Sequence, residues 1–202
     1  MRNVSERSLI EVYVRDGSQT RQQIDRAALR LFARKGIKET TIRDIAEAAG
    51  IAEGTLYRHY KSKDELSWIL FRDSYAELGR HLDRVQAAED STQEKIQSMI
   101  RYFCHVYESD QDLFTYLFLA RHGHVQRLNP RLPNPYLVVR HVVSRGMRVG
   151  EIPKQDPDVA ASMVLGIVNQ VIDSRILGDR IKRSIASLSD TIADGAWRVL
   201  KP

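Results

Sequence analysis

Ile24, Ala27, Ala28, Leu31 and Phe32 recur at i, i+3, i+4, i+7 and i+8, the apolar stripe of an amphipathic helix, and Gly36 supplies its stop. Thr20 with Gln23 has the pattern of a capping box at the start of that helix. Ile42, Ile45, Ala46 and Ala49 repeat the stripe over a shorter span, which Gly50 closes by permitting a left-handed backbone. Thr41 with Asp44 is close to a capping pair for this second helix. Ile51 then anchors the turn, and Leu56 and Tyr60 mark the inner face of a third, short helix. Ser62 with Glu65 is a full capping box that opens a fourth.

The helical pattern continues downstream, and no alternating run is long enough to suggest a sheet. The spacing predicts helices at about 63–86, 92–108, 110–128, 134–149, 157–178 and 183–200. Asp156 and Pro157 read as an N-cap followed by a first-turn proline, and the LNPRLPNP stretch marks another boundary. Ala160, Met163, Val164, Ile167, Val168, Val171 and Ile172 make a stripe broad enough to need cover from two sides. The last helix carries Ile185, Leu188, Ile192, Ala196, Val199 and Leu200, with Trp197 beside them. Periodicity alone leaves two readings open for these helices: the core of one chain, or a twofold four-helix interface between copies. The fold class expected is all-α.

Two short helices meeting at a glycine turn have the spacing of a helix-turn-helix. Its outward face would carry Glu53, Gly54, Thr55, Tyr57, Arg58, His59 and Lys61, groups suited to reading base edges in a major groove. The run AALRLFARKGIKETTIRDIAEAAGIAEGTLYRHYKSKDEL, residues 27–66, resembles the tetracycline-repressor (TetR) family of bacterial transcription regulators. GTLYRHYKSKDEL is its most diagnostic part. Two positions depart from the family pattern: Ala52 stands where Ser or Thr often caps the recognition helix, and Tyr60 replaces the more usual Phe, with its hydroxyl expected at the surface.

The resemblance implies roles residue by residue. Thr41 and Tyr57 match phosphate-contacting hydroxyls, Lys63 matches a phosphate-binding lysine, and Arg43 stands where a side chain reaches bases from the preceding helix. Glu53, Gly54, Thr55, Arg58 and His59 fall at groove-facing positions. The domains expected are an N-terminal extension at 1–17 that frays, a three-helix DNA-binding domain at 18–66, and a helical bundle at 67–202 for effector binding and dimerisation. Among the central helices the family builds an effector cavity, for which Phe103, Tyr107, Phe114, Phe118, Arg121, His122, Tyr136 and Met147 are the candidates. Members commonly pair through their last two long helices, which here points to Met163, Ile167, Val171, Ile192, Ala196 and Trp197.

Charge sharpens this picture. The chain of 202 residues has a formal net charge of +5. Residues 1–63 hold 13 Lys and Arg against 8 Asp and Glu, whereas the two signs balance from Asp64 onward. An excess confined to the helix-turn-helix end suits phosphate binding. One cysteine, Cys104, fits a reducing cytoplasm, and no signal-peptide or membrane-span pattern is read. His122, His124, Cys104 and Asp110 are of zinc-ligand type but lack ligand spacing, and no nucleophile elbow or phosphate loop occurs, so neither an enzyme nor a cofactor is expected. The sequence therefore predicts a cytoplasmic, homodimeric, ligand-responsive repressor of a palindromic double-stranded DNA operator. An activator, or a co-regulator answering to another protein, is the alternative.

Overall fold

The computed structural model describes residues 19–129, 131–178 and 181–201, so the extension expected at 1–17 lies outside the described residues. Among these the elements are all helical: α1 Gln19–Lys35, α2 Ile42–Ala49, α3 Glu53–His59, α4 Lys63–Ala87, α5 Thr92–Ser109, α6 Gln111–His124, α7 Pro135–Val149, α8 Pro157–Ile176 and α9 Ser189–Leu200. Short 3-10 turns at Val125–Arg127 and Ala186–Leu188 occupy stretches where the sequence predicts continuous helix. Near the second, Ser187 Oγ donates to Ser184 O at 2.7 Å, the local bonding by which serines compete with helix. Thr20 lies inside α1 and not at its cap, because the helix already includes Gln19.

The chain forms two compact units. One comprises the first three helices, α4 as far as Tyr75, and residues 110–130 with α6. Its core is made by Ile24, Ala28 and Phe32 of α1, Ile45 of α2 and Leu56 of α3, all fully buried. The Phe32 ring stacks on Tyr116 of α6 with centroids 5.7 Å apart. Asp110 caps α6 by accepting from Leu113 N at 3.0 Å and also binds Arg26 of α1 at 2.9 Å. His124 Nε2 meets Ser67 Oγ at 2.9 Å, and Tyr116 Oη donates to Ser67 O, so these polar groups satisfy one another inside the unit.

The other unit contains α4 from Ala76, then α5, α7, α8 and α9. Asn134 caps α7 by accepting from Leu137 N at 3.0 Å, and its backbone lies against Gly79 of α4. Ala160, Ala161, Val164, Val168 and Ile172 form the buried face of α8, while Ile192, Ala193, Ala196 and Leu200 do so for α9. Met163, Ile167 and Val171 make a second apolar stripe on α8 that is only half-buried. By length and composition alone this helix is long and apolar enough to cross a membrane, and 28% of its apolar stretch is buried within the described chain. Cys104 of α5 is fully buried.

Candidate nucleic-acid interface

Local sequence explains how α2 and α3 are held. Thr41 Oγ1 accepts from Asp44 N at 3.1 Å while Asp44 Oδ2 accepts from Thr41 N at 2.9 Å, a complete capping box. These bonds to Thr41 are the main reason the Asp44 carboxyl titrates below its ordinary range. Gly50 has φ 68° and ψ 33°, and Ile51 N donates to Ala46 O at 3.0 Å, which ends α2 in a left-handed turn. A side chain at Gly50 would be strained, since L residues avoid that region.

The candidate recognition helix α3 is only seven residues long and has one buried side chain, Leu56. Ala52 makes no side-chain cap, as its apolar methyl dictates. Glu53, Gly54, Arg58 and Lys61 are exposed, as are Thr41 and Arg43 of the preceding element, and Thr55, His59 and Lys63 are half-buried. Tyr57 is 52% exposed, an uncommon position for an aromatic ring unless it meets something. A Cβ at Gly54 would meet nothing within 4 Å, so this point offers close access to the backbone. Arg58 Nη2 donates to Thr55 Oγ1 at 3.2 Å, one turn earlier on the same face.

Lys63 opens α4, and its Nζ donates to Thr40 O at 2.6 Å and Lys38 O at 3.0 Å. An ammonium has three donors, so two carbonyls fix its place beside Thr41 and leave one N–H for an anion. Lys63 thus sits beside the start of α2, and Arg58 beside Thr55 on the outward face of α3.

Tyr60 corrects a sequence expectation. Its hydroxyl does not reach the surface, because the residue is 1% exposed and points into the unit. Tyr60 Oη donates to Asp25 Oδ1 of α1, and Arg21 Nε donates to Tyr60 Oη at 3.1 Å. Burial pushes the Asp25 carboxyl up to about 6, against the opposing pull of Tyr60 and Arg21. Burial, followed by the neighbouring carboxylate, raises the Tyr60 phenol as well. The signal available in the sequence was an acid at position 25 on the otherwise apolar face of α1, with Ile24 and Ala28 beside it.

The eight effector candidates divide between the units. Phe114, Phe118, Arg121 and His122 belong to the first, whereas Phe103, Tyr107, Tyr136 and Met147 belong to the second. Arg121 lies over the Phe118 ring at 5.9 Å, His122 is exposed, and Phe103, Tyr107 and Phe114 are buried. Tyr136 donates to Asp158 on the outside of the second unit. An open groove of about 420 Å³ within that unit is lined by none of them; it is formed by Arg80, Asp83 and Arg84 of α4 and by Pro133, Leu137, Val138 and His141. Arg80 and Arg84 both bond Glu77, at 2.7 and 3.3 Å, which holds their guanidinium groups together. Of the interface candidates, Ile192 and Ala196 spend their surface inside the subunit, while Met163, Ile167, Val171 and Trp197 retain part of theirs.

Residues 24–67 match the sequence profile described as "Bacterial regulatory proteins, tetR family". The fatty acid metabolism regulator protein of Bacillus subtilis is 23% identical over 177 residues, covering 85% of this chain and 91% of that protein. The HTH-type transcriptional regulator TtgR of Pseudomonas putida is 43% identical over 75 residues, 37% of this chain and 35% of its own length. Among solved structures, the transcriptional regulator FadR from Bacillus subtilis in complex with stearoyl-CoA superposes with a TM-score of 0.72, at 20% identity over 86% of this chain and 96% of that one. Residues 24–67 thus form a module of the tetR family of bacterial regulatory proteins, and the chain as a whole is similar to regulators of fatty acid metabolism and transcription.

Proposed function

We propose that the protein is a homodimeric, ligand-responsive transcription regulator that represses from a palindromic operator. The observation that carries this reading is the outward face of α3, where Tyr57 and Arg58 are exposed while Leu56 and Tyr60, on either side of them in sequence, are buried. Such a helix presents donors and acceptors to a major groove, with Thr41 and Lys63 at phosphates on its flanks. Two copies would read half-sites about 34 to 36 Å apart, or a multiple of that spacing.

Arg58→Ala should weaken operator binding by about 1 to 3 kcal/mol and relax base preference at one position. Lys63→Ala should weaken binding to every duplex and lower the magnitude of the salt slope by about 1. Fluorescence anisotropy over a salt series separates the two effects, and wild-type behaviour of both variants would remove the DNA assignment.

The half-buried stripe of α8 supports the dimer, since Met163, Ile167 and Val171 leave apolar surface that a second copy would cover. Ile167→Glu should give monomers by light scattering and lose most operator affinity, because each monomer holds a single half-site. An unchanged mass would reject this interface.

For the effector, the cationic rim and apolar floor of the α4–α7 groove suit an anionic head joined to an apolar body. The stearoyl-CoA bound by the Bacillus subtilis regulator belongs to that class, and we extend the class to this chain. The ligand acts only through unequal affinity for DNA-competent and incompetent conformers, with coupling of about 1 to 3 kcal/mol.

A further inference from the structure

The cluster of Arg21, Asp25 and Tyr60 does something that packing alone does not require. Tyr60 is the first residue after α3, with extended backbone at φ −140° and ψ 129°, and its N–H bonds Leu56 O at 3.0 Å. A phenylalanine ring would fill the same core volume. The hydroxyl adds only polar bonds, and those run to α1, 35 residues away. Stability does not account for the arrangement either, because a carboxylate that is 8% exposed weakens a fold unless its partners compensate fully.

Geometry supplies the reason. With Leu56 as its one buried residue, α3 could pivot about that contact, and Arg58 and His59 lie at the end that would swing. Tyr60 is the next fixed point. Its phenol is held from two sides, by the Asp25 carboxylate and the Arg21 guanidinium, the latter also lying over the ring at 5.6 Å. We propose that the Arg21–Asp25–Tyr60 cluster is a positioning element for DNA reading, fixing the exit of the recognition helix against α1 so that the protein discriminates operator from random duplex. The inference rests on the DNA-reading function proposed above. It assigns no contact with DNA to these residues; they act through the orientation of Arg58 and His59.

The charged and titratable groups facing Asp25 are Arg21 on its own helix, Tyr60 after α3, and Asp73 of α4, the last bonded to Arg72 at 2.6 Å. Protonation of Asp25 would convert a charge-assisted bond into a weaker neutral one, so the discrimination should fall as pH drops through about 6. Effects of pH that arise elsewhere in the protein or in the duplex are common to all variants, so the informative quantity is the difference between wild type and Asp25 variants.

The test uses the full chain and two probes: a duplex enriched by the wild type from a randomised library, and random-sequence duplex of equal length. Tyr60→Phe should lower the ratio of the two affinities by about tenfold while leaving random-duplex binding unchanged. Asp25→Leu, which relieves the buried charge, should unfold at higher temperature than wild type and yet lose the same preference. Asp25→Asn keeps an acceptor oxygen and should restore most of what Asp25→Leu loses, with a ratio that stays flat between pH 7.5 and 5 once the pH change common to all variants is subtracted. A merely structural role predicts the opposite for Asp25→Leu, a more stable protein with undiminished preference. Wild-type ratios in both Tyr60→Phe and Asp25→Leu would overturn the positioning role and leave DNA reading intact. Failure of the wild type to enrich any duplex would overturn both.

Discussion

Replacing Gly79 by alanine should destabilise the protein by about 3 kcal/mol, the upper end of what overpacking a close contact produces. A Cβ at this position would lie 2.5 Å from both Cα and N of Asn134 and 2.8 Å from the Pro133 carbonyl carbon. These are backbone atoms, so no side-chain rotation relieves the clash. The segment that must move is the one whose Asn134 side chain caps α7, and displacing it also loosens that cap. Helix propensity alone gives the opposite sign, since alanine is favoured over glycine by about 1 kcal/mol in a helix interior. Gly195 of α9 is the internal control, because a Cβ there meets nothing within 4 Å. Gly195→Ala should therefore stabilise, by about 0.5 to 1 kcal/mol, in the same urea titration that shows Gly79→Ala falling. If both variants gain stability, Pro133 and Asn134 yield easily and the close approach has no energetic consequence.

Asp25→Asn should raise stability by about 2 kcal/mol at pH 7.5, and the gain should disappear in acid. The folded-state carboxyl is raised from 3.8 to about 6, so the native protein holds this proton more tightly than the unfolded chain does. Stability from that difference is fully present below about pH 4 and is lost as pH rises through about 6. At neutral pH the wild type thus carries an energetic burden that the amide lacks, up to about 3 kcal/mol if the whole difference is realised. The amide's weaker bond to Tyr60 reduces the net gain. Thermal unfolding at pH 7.5, 6 and 4 follows the predicted convergence of the two proteins. A variant less stable than wild type at pH 7.5 would mean that the bonds from Tyr60 and Arg21 outweigh the burial.

Much of the helix-turn-helix was legible because its determinants are local. Thr41 and Asp44 reveal the start of α2, Gly50 its end, and Ser62 with Glu65 the start of α4, and each signal acts within four residues of its partner. What escaped needed knowledge of distant partners. The pattern shows which face of α6 is apolar, but not that this face packs on α1, whose stripe would fit any other amphipathic helix equally well. The Tyr60 hydroxyl was misplaced because its acceptor lies 35 residues earlier, and hydroxyl polarity by itself suggests solvent. Resemblance pointed to the central helices for an effector without telling which of their faces meet, so the eight candidates fall in two units and none lines the α4–α7 groove. On α8 and α9 the apolar stripes could not be divided between internal core and outer contact until burial separated Ile192 and Ala196 from Met163, Ile167 and Val171.

The sealed position of Cys104 has a practical consequence. Its thiol is pushed up to about 12, chiefly by burial, so at neutral pH it holds almost no thiolate and resists maleimides and other electrophiles. As it is the single cysteine in the chain, a fluorophore attached to a cysteine newly placed at exposed Thr191 would report from one known point without any background removal. Energy transfer between two chains labelled at that added cysteine would then test the proposed pairing of copies, with no signal from the buried native thiol.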